Sequence, residues 1–323
     1  MLFARKLLLD TFSKVNLKNN FLLVLHVNAK VCVLAGPASK DLAKSVSKIL
    51  GVPLIDVELK IFPDGESKIK IDGNLDCKFA VIVQSTYPPV DAHLIQSLLM
   101  VSKAKKMGAS VCATIPYLAY ARQDKEFLKG EAVSMELVGS LFSSSGAKNV
   151  ITVDVHSQMA LSYFKVQTHN VSAVPLLANY FKSQKLFQPL AVSPDAGGSA
   201  RAKEFAKVIG TSSIALPKVR DKKTGEVKID PDAPELKAAI GRDVILIDDM
   251  ISTGGSIVKA TEVLVKRGCK KVFVACTHPL LLNGALEKIM DAGATEVVGT
   301  NTVPSQVSKV DVAPAICDQV SKL

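Results

Sequence analysis

The sequence predicts an α/β fold of two similar domains, each a mostly parallel sheet flanked by helices. Three observations carry this prediction. Short β-branched runs alternate with longer stretches of helical spacing, the runs are apolar throughout, and two parts of the chain share one layout. Strands covered on both faces read as continuous apolar runs, and parallel neighbours need a crossover, usually a helix.

Taken in order, residues 31–35 read as a strand ended by a Gly-Pro turn. A helix over 39–50 follows, with Leu42, Val46, Ile49 and Leu50 at helical spacing. Further buried strands are expected at 80–84, 110–115, 150–153, 190–193, 214–216, 244–247 and 271–275, with helices such as 92–106 and 131–144 between them. Each of the two similar stretches runs strand, loop, long helix, glycine, strand and proline. One leads from Val81 through Gly108 to Pro116, the other from Val244 through Gly268 to Pro279. Their loops differ: Ser252 to Ser256 contains paired glycines, whereas Ser85 to Pro89 has none. The chain therefore divides into an N-terminal extension (1–29), a first α/β domain (30–172) and a second (173–323). The extension is basic and ends in a short apolar stretch. A targeting segment, an extra strand and an upstream start codon all fit it. The last is favoured, because the regular pattern begins only at Lys30.

Composition removes some classes. No apolar run approaches the roughly 20 residues of a membrane span. The absence of tryptophan and the 5% aromatic content argue against a stacking surface for single-stranded nucleic acid. The net charge of +10 suits phosphorylated ligands, but much of it is scattered as single lysines on helix faces, so no nucleic-acid partner is expected. None of the six cysteines forms a CxxC pair. Reduced, buried thiols in a cytoplasmic protein are expected.

The most specific motif is an apolar strand that delivers Asp248 and Asp249, followed by Ser252, Thr253, Gly254, Gly255 and Ser256 and then a helix near Ile257. Ligands of open α/β sheets bind at this edge. Glycines let the backbone approach a phosphate, and helix N-terminal N–H groups donate to it. The carboxylates would repel phosphate, so they suit the hydroxyls of a ribose. A second anion cradle, suited to pyrophosphate, is Asp195, Ala196, Gly197 and Gly198 after another apolar strand. Asp195 there suits a magnesium ion, a hard cation that prefers oxygen. Phe62, Asp64, Gly65 and Glu66 lie on a tight turn. Arg122 and Gln123 follow a strand and a turn, with charge and amide groups fit for phosphate and base. His156 ends a buried strand, where a core histidine is the plain alternative. Lys218 and Arg220 alternate in an extended, charged segment and so share one side.

The loop at Asp248 resembles the phosphoribosyl-binding loop of the type I phosphoribosyltransferase fold. From about residue 31 onward the chain resembles the ribose-phosphate pyrophosphokinases, especially their archaeal branch. That resemblance implies transfer of the pyrophosphoryl group of Mg-ATP to the 1-hydroxyl of ribose 5-phosphate, giving phosphoribosyl pyrophosphate (PRPP) and AMP. It implies adenine contacts by Phe62, Asp64, Gly65 and Glu66 in a neighbouring subunit's site, hence a homo-oligomer, a dimer or larger. Arg122 and Gln123 would hold ATP, and His156 and Asp195 Mg2+. Lys218 would be catalytic with Arg220 beside it, and Arg220 with the Asp248 to Ser256 segment would hold ribose 5-phosphate. Lys125 to Phe127 departs from the more charged run of many bacterial and animal relatives, which puts their kind of allosteric control in doubt. A base phosphoribosyltransferase has no use for a second α/β domain with an ATP segment. A non-catalytic regulatory subunit would have lost the acidic or the Lys-Arg pair, and both are present.

Overall fold

The computed structural model describes residues 31–72, 75–220 and 227–323, apart from the side chains of 218, 220, 227 and 228. The N-terminal extension lies outside the described residues.

The first sheet is built from β1 (Val31–Ala35), helix α1 (Lys40–Leu50), the hairpin β2 (Leu54–Ile61) and β3 (Ser67–Ile71), β4 (Phe79–Val83), α2 (Val90–Lys106), β5 (Ser110–Ile115), α3 (Ser134–Ser145), β6 (Ala147–Val153), α4 (Gln158–Ser162) and β7 (Gln167–Val171). Its order is β3-β2-β1-β4-β5-β6-β7, and every pair is parallel except the β2–β3 hairpin. The chain then crosses over through α5 (Val174–Lys182) to β8 (Leu190–Ser193), α6 (Ser199–Ile209), β9 (Ser213–Ala215) and the ribbon β10 (Lys218–Arg220) and β11 (Val227–Ile229). It continues with β12 (Asp243–Ile251), α7 (Gly255–Lys266), β13 (Lys271–Pro279), α8 (Ala285–Asp291), β14 (Glu296–Thr300), β15 (Ser308–Val310) and α9 (Ala313–Val320). The second sheet, β15-β14-β13-β12-β8-β9, is parallel throughout.

The internal likeness seen in the sequence is topological. β2-β1-β4-β5-β6-β7 and β9-β8-β12-β13-β14-β15 follow the same path. By that correspondence the β4–α2 turn matches the glycine-containing β12–α7 loop. The central strands are apolar because helices cover both their faces: Val81, Ile82 and Val83 are fully buried, as are Val244 to Ile247. Burying an aliphatic side chain of this size stabilises by about 1.5–3 kcal/mol, so these runs hold each sheet together.

Two features depart from a simple pair of beads. A small apolar cluster of Tyr117, Ala119, Met250 and Val303 is shared between the halves. The last helix, α9, returns to the first sheet, where Ala313, Ile316, Cys317 and Val320 pack with Val33, Val46, Val81 and Ile151.

The cysteine expectation needs one correction. β1 and β4 are sheet neighbours, which brings the Cα atoms of Cys32 and Cys77 to 5.8 Å, and the two are joined as a disulfide. The other four are free, and burial pushes their thiols up, to about 12 at Cys112 and Cys317. Low thiolate content makes such groups poor nucleophiles.

Candidate active site

The carboxyl end of β12, in the second sheet, forms the floor of a cavity of about 630 Å³. β12 ends in Asp248 and Asp249, and the chain then turns through Ser252 to Gly254 into α7. Gly254 has φ 78°, a left-handed conformation that costs a side-chain-bearing residue about 1–2 kcal/mol. A Cβ there would stand 3.2 Å from Ala285 Cβ and 3.3 Å from Ile289 Cδ1. Both the turn and its packing therefore call for glycine. The whole segment Ser252 to Ser256 lines the cavity, with Asp248 beside it and Arg122 facing it from the first domain. Arg122 and Met250 also border a second cavity of about 350 Å³, which Gln123 and Tyr120 help to line. Arg122 and Gln123 on one side and the Ser252 to Ser256 loop on the other thus meet although they lie on different domains.

The acidic pair is tied on two sides. His156 Nδ1 lies 2.6 Å from Asp249 Oδ2, a contact between the end of β6 and the end of β12. Arg201 Nη1 donates to Asp248 Oδ1 at 3.4 Å, and its Nη2 is 3.8 Å from Asp249 Oδ2. Burial and the neighbouring Asp249 charge push Asp248 up, to about 8. Burial also disfavours charge on Asp249, but its hydrogen bond to His156 and the Arg201 guanidinium outweigh this and hold it below the usual carboxylate range. Two adjacent carboxylates rarely ionise alike, and here their partners separate them.

Asp195 caps the short 3-10 turn Ala196–Gly198, its Oδ1 accepting the Gly198 N–H at 3.3 Å. Ser193 Oγ donates to the Asp195 carbonyl at 2.7 Å. An ionised Asp249 bonded to His156 Nδ1 requires a proton on that nitrogen, which fixes the ring's orientation. Among the described residues no group of three or more metal-ligating side chains is present. The Asp195 carboxylate supplies the hard oxygen that magnesium takes, an ion that keeps most of its shell for water and phosphate oxygens.

The Phe62 to Glu66 turn does not join this cavity. Phe62 N–H donates to the Glu66 carbonyl, Glu66 N–H donates to Asp64 Oδ1, and the tip from 63 to 66 is exposed at the end of the β2–β3 hairpin. Lys218 and Arg220 lie on β10, whose register pairs Lys218 with the cavity-lining Ile229. Their side chains are outside the described residues.

Sequence reasoning missed Arg201, Lys259 and His278. Lys259 lines the cavity. Its signal was its place one turn into the helix, because helical side chains lean toward the N-terminus and reach the loop. His278, on β13, is 2% exposed and bonds Thr302 Oγ1 at 2.9 Å and the Asp154 carbonyl at 3.4 Å. Burial lowers its pKa to about 4, against the opposing Asp249 charge. Since an unfolded histidine titrates near 6.5, this site contributes fully above about pH 6.5 and loses up to about 3 kcal/mol as pH falls toward 4. Urea midpoints should therefore drop between pH 7 and pH 5 in the wild type and drop less in His278→Gln. Equal drops would remove His278 as the cause.

Fold and site together define a transferase on the phosphoribosyltransferase scaffold. Residues 31–146 match the N-terminal domain of ribose phosphate pyrophosphokinase, and residues 194–322 match a phosphoribosyl synthetase-associated domain. Ribose-phosphate pyrophosphokinases of Sulfurisphaera tokodaii and Methanobrevibacter smithii are each 39% identical to the chain, over 89% and 88% of it and 99% and 98% of their own lengths. A crystal structure of phosphoribosylpyrophosphate synthetase from Mycobacterium smegmatis superposes with a TM-score of 0.78 at 29% identity, covering 90% of this chain and 97% of that one. The chain belongs to the ribose-phosphate pyrophosphokinase family.

Proposed function

We propose that the protein transfers the β,γ-pyrophosphoryl group of ATP to the 1-hydroxyl of ribose 5-phosphate, releasing AMP and PRPP for nucleotide synthesis in the cytoplasm. The observation that carries this reading is that Arg122 of the first domain and the Asp248 to Ser256 segment of the second line one cavity. Catalysis of this kind rests on positioning and on neutralising charge.

In this reading the Ser252 to Ser256 backbone and hydroxyls bind the 5-phosphate, and Asp248 and Asp249 take the ribose hydroxyls. Arg122 and Gln123 hold the nucleotide where the two cavities meet. The 1-hydroxyl attacks the β-phosphorus in line and AMP departs. Lys218 stabilises the charge developing on the transferred group, and Arg220 steadies the substrate. Asp195 to Gly198 cradle the pyrophosphoryl group. His156 and Asp195 would hold Mg2+, which supplies charge neutralisation on the phosphates. The exposed Phe62 to Glu66 tip suits the adenine site of a second copy, and among the described residues no helix is long and apolar enough to cross a membrane.

The test is purified protein with Mg-ATP and ribose 5-phosphate, the products separated by chromatography, alongside light scattering to size the active species. Equimolar AMP and PRPP from an oligomer are expected. ADP in place of AMP would overturn the transfer, and a fully active monomer would overturn the shared site.

A further inference from the structure

Arg201 lies in the first turn of α6, three residues beyond the Asp195 to Gly198 cradle, yet its guanidinium reaches β12. Among the described residues its contact with Asp248 is that carboxylate's one ion pair, whereas Asp249 also has His156. Only 20% of the arginine side chain is exposed, so the charge sits where water screens it weakly. Gly198 packs on the arginine and, more tightly, on Ser193. A Cβ there would stand 3.4 Å from Arg201 Nη1 and 2.4 Å from Ser193 Oγ. The planar fork of arginine spans two carboxylates in a way a lysine ammonium does not.

We propose that Arg201 is a positioning residue: it braces the carboxylate pair against the Asp195 to Gly198 cradle, so that sugar hydroxyls and pyrophosphoryl group are held in one frame. This rests on the reading of the Asp248 loop as the ribose 5-phosphate site. A carboxylate accepts a hydroxyl well only when its lone pairs point at the sugar. Asp248 Oδ1 is fixed by two donors, Arg201 Nη1 and the Asp249 N–H at 2.9 Å. Removing the first leaves Asp248 Oδ1 held by the Asp249 N–H alone, so the carboxyl can turn away from the sugar. The loss falls on sugar binding, while the nucleotide contacts at Arg122 and Gln123 stay in place.

Steady-state kinetics of the full chain test this, varying each substrate at saturating levels of the other. Arg201→Ala should raise KM for ribose 5-phosphate about 10-fold or more, the effect of losing a charge-assisted bond, with KM for ATP within about twofold of the wild type. Arg201→Lys should restore part of the loss, and it preserves the test if the alanine variant does not fold. A purely structural role would lower kcat with the folded fraction and leave both KM values alone, which overturns the proposal. A rise confined to KM for ATP would overturn it as well, by placing the arginine on the nucleotide phosphates. A wild type that makes no PRPP would sink the functional reading first and this proposal with it, whereas an active wild type with an unchanged variant KM sinks the proposal alone.

Discussion

Lys218→Ala is expected to lose about 10²- to 10³-fold in turnover, the usual loss when a donor to developing charge is removed. Its affinity for ribose 5-phosphate should stay near that of the wild type. The position of β10 supports this split. Its ribbon pairs Lys218 with Ile229, a residue of the cavity wall, so the lysine backbone stands at the cavity rather than at the ribbon's far end. The ribbon belongs to neither large sheet, so truncating a side chain on it removes little from either core. Turnover measured as AMP release, with calorimetry for sugar-phosphate binding, separates the two quantities. Near-normal turnover would remove Lys218 from the mechanism.

Gly254→Val should be the most damaging change in the loop itself. The left-handed backbone costs about 1–2 kcal/mol for a residue with Cβ, and the Cβ would press on Ala285 and Ile289, which are fully buried. The loop must then move away from its present path, carrying the N–H groups at the start of α7 with it. Losing two phosphate bonds of about 1.5–3 kcal/mol each implies a fall of roughly 10²-fold or more in ribose 5-phosphate affinity. Gly255→Ala is the control for fold stability, since nothing lies within 4 Å of a Cβ at that position. Thermal melts with calorimetry give both readouts. Equal affinity in Gly254→Val and the wild type would show that the loop does not hold the phosphate.

The strands and helices that carry the domains were legible because their signals are local. β5 and β8 lie at 110–115 and 190–193 as read, and α1 and α2 differ from their expected spans by at most two residues at the start. β12 and β13 run four residues beyond their apolar cores, where polar Asp249, Thr277 and His278 pair across the domains and Asp248 pairs with Arg201. The expected helix start near Ile257 lies at Gly255, since a glycine pair reads as loop until its backbone is seen. α3 begins at Ser134 rather than Glu131. What sequence spacing could not supply was any contact at long separation. His156 meets Asp249 across 93 residues and Arg201 meets Asp248 across 47, and no local pattern announces either. The disulfide partners lie 45 residues apart and meet through sheet order alone. Arg201 read as one more basic residue on a helix face.

The return of α9 to the first sheet bears on how the chain is made. Val33, Val81 and Ile151 belong to strands complete by residue 153, but part of their cover is Ala313, Ile316 and Val320, near the end of the chain. During synthesis that side of the first sheet waits uncovered while some 160 further residues emerge at about 5–20 per second. The first half therefore cannot finish its core before the second half is made. The nascent chain carries an apolar face for that interval, and a ribosome that stalls late in the message leaves both halves translated but the earlier one unsealed.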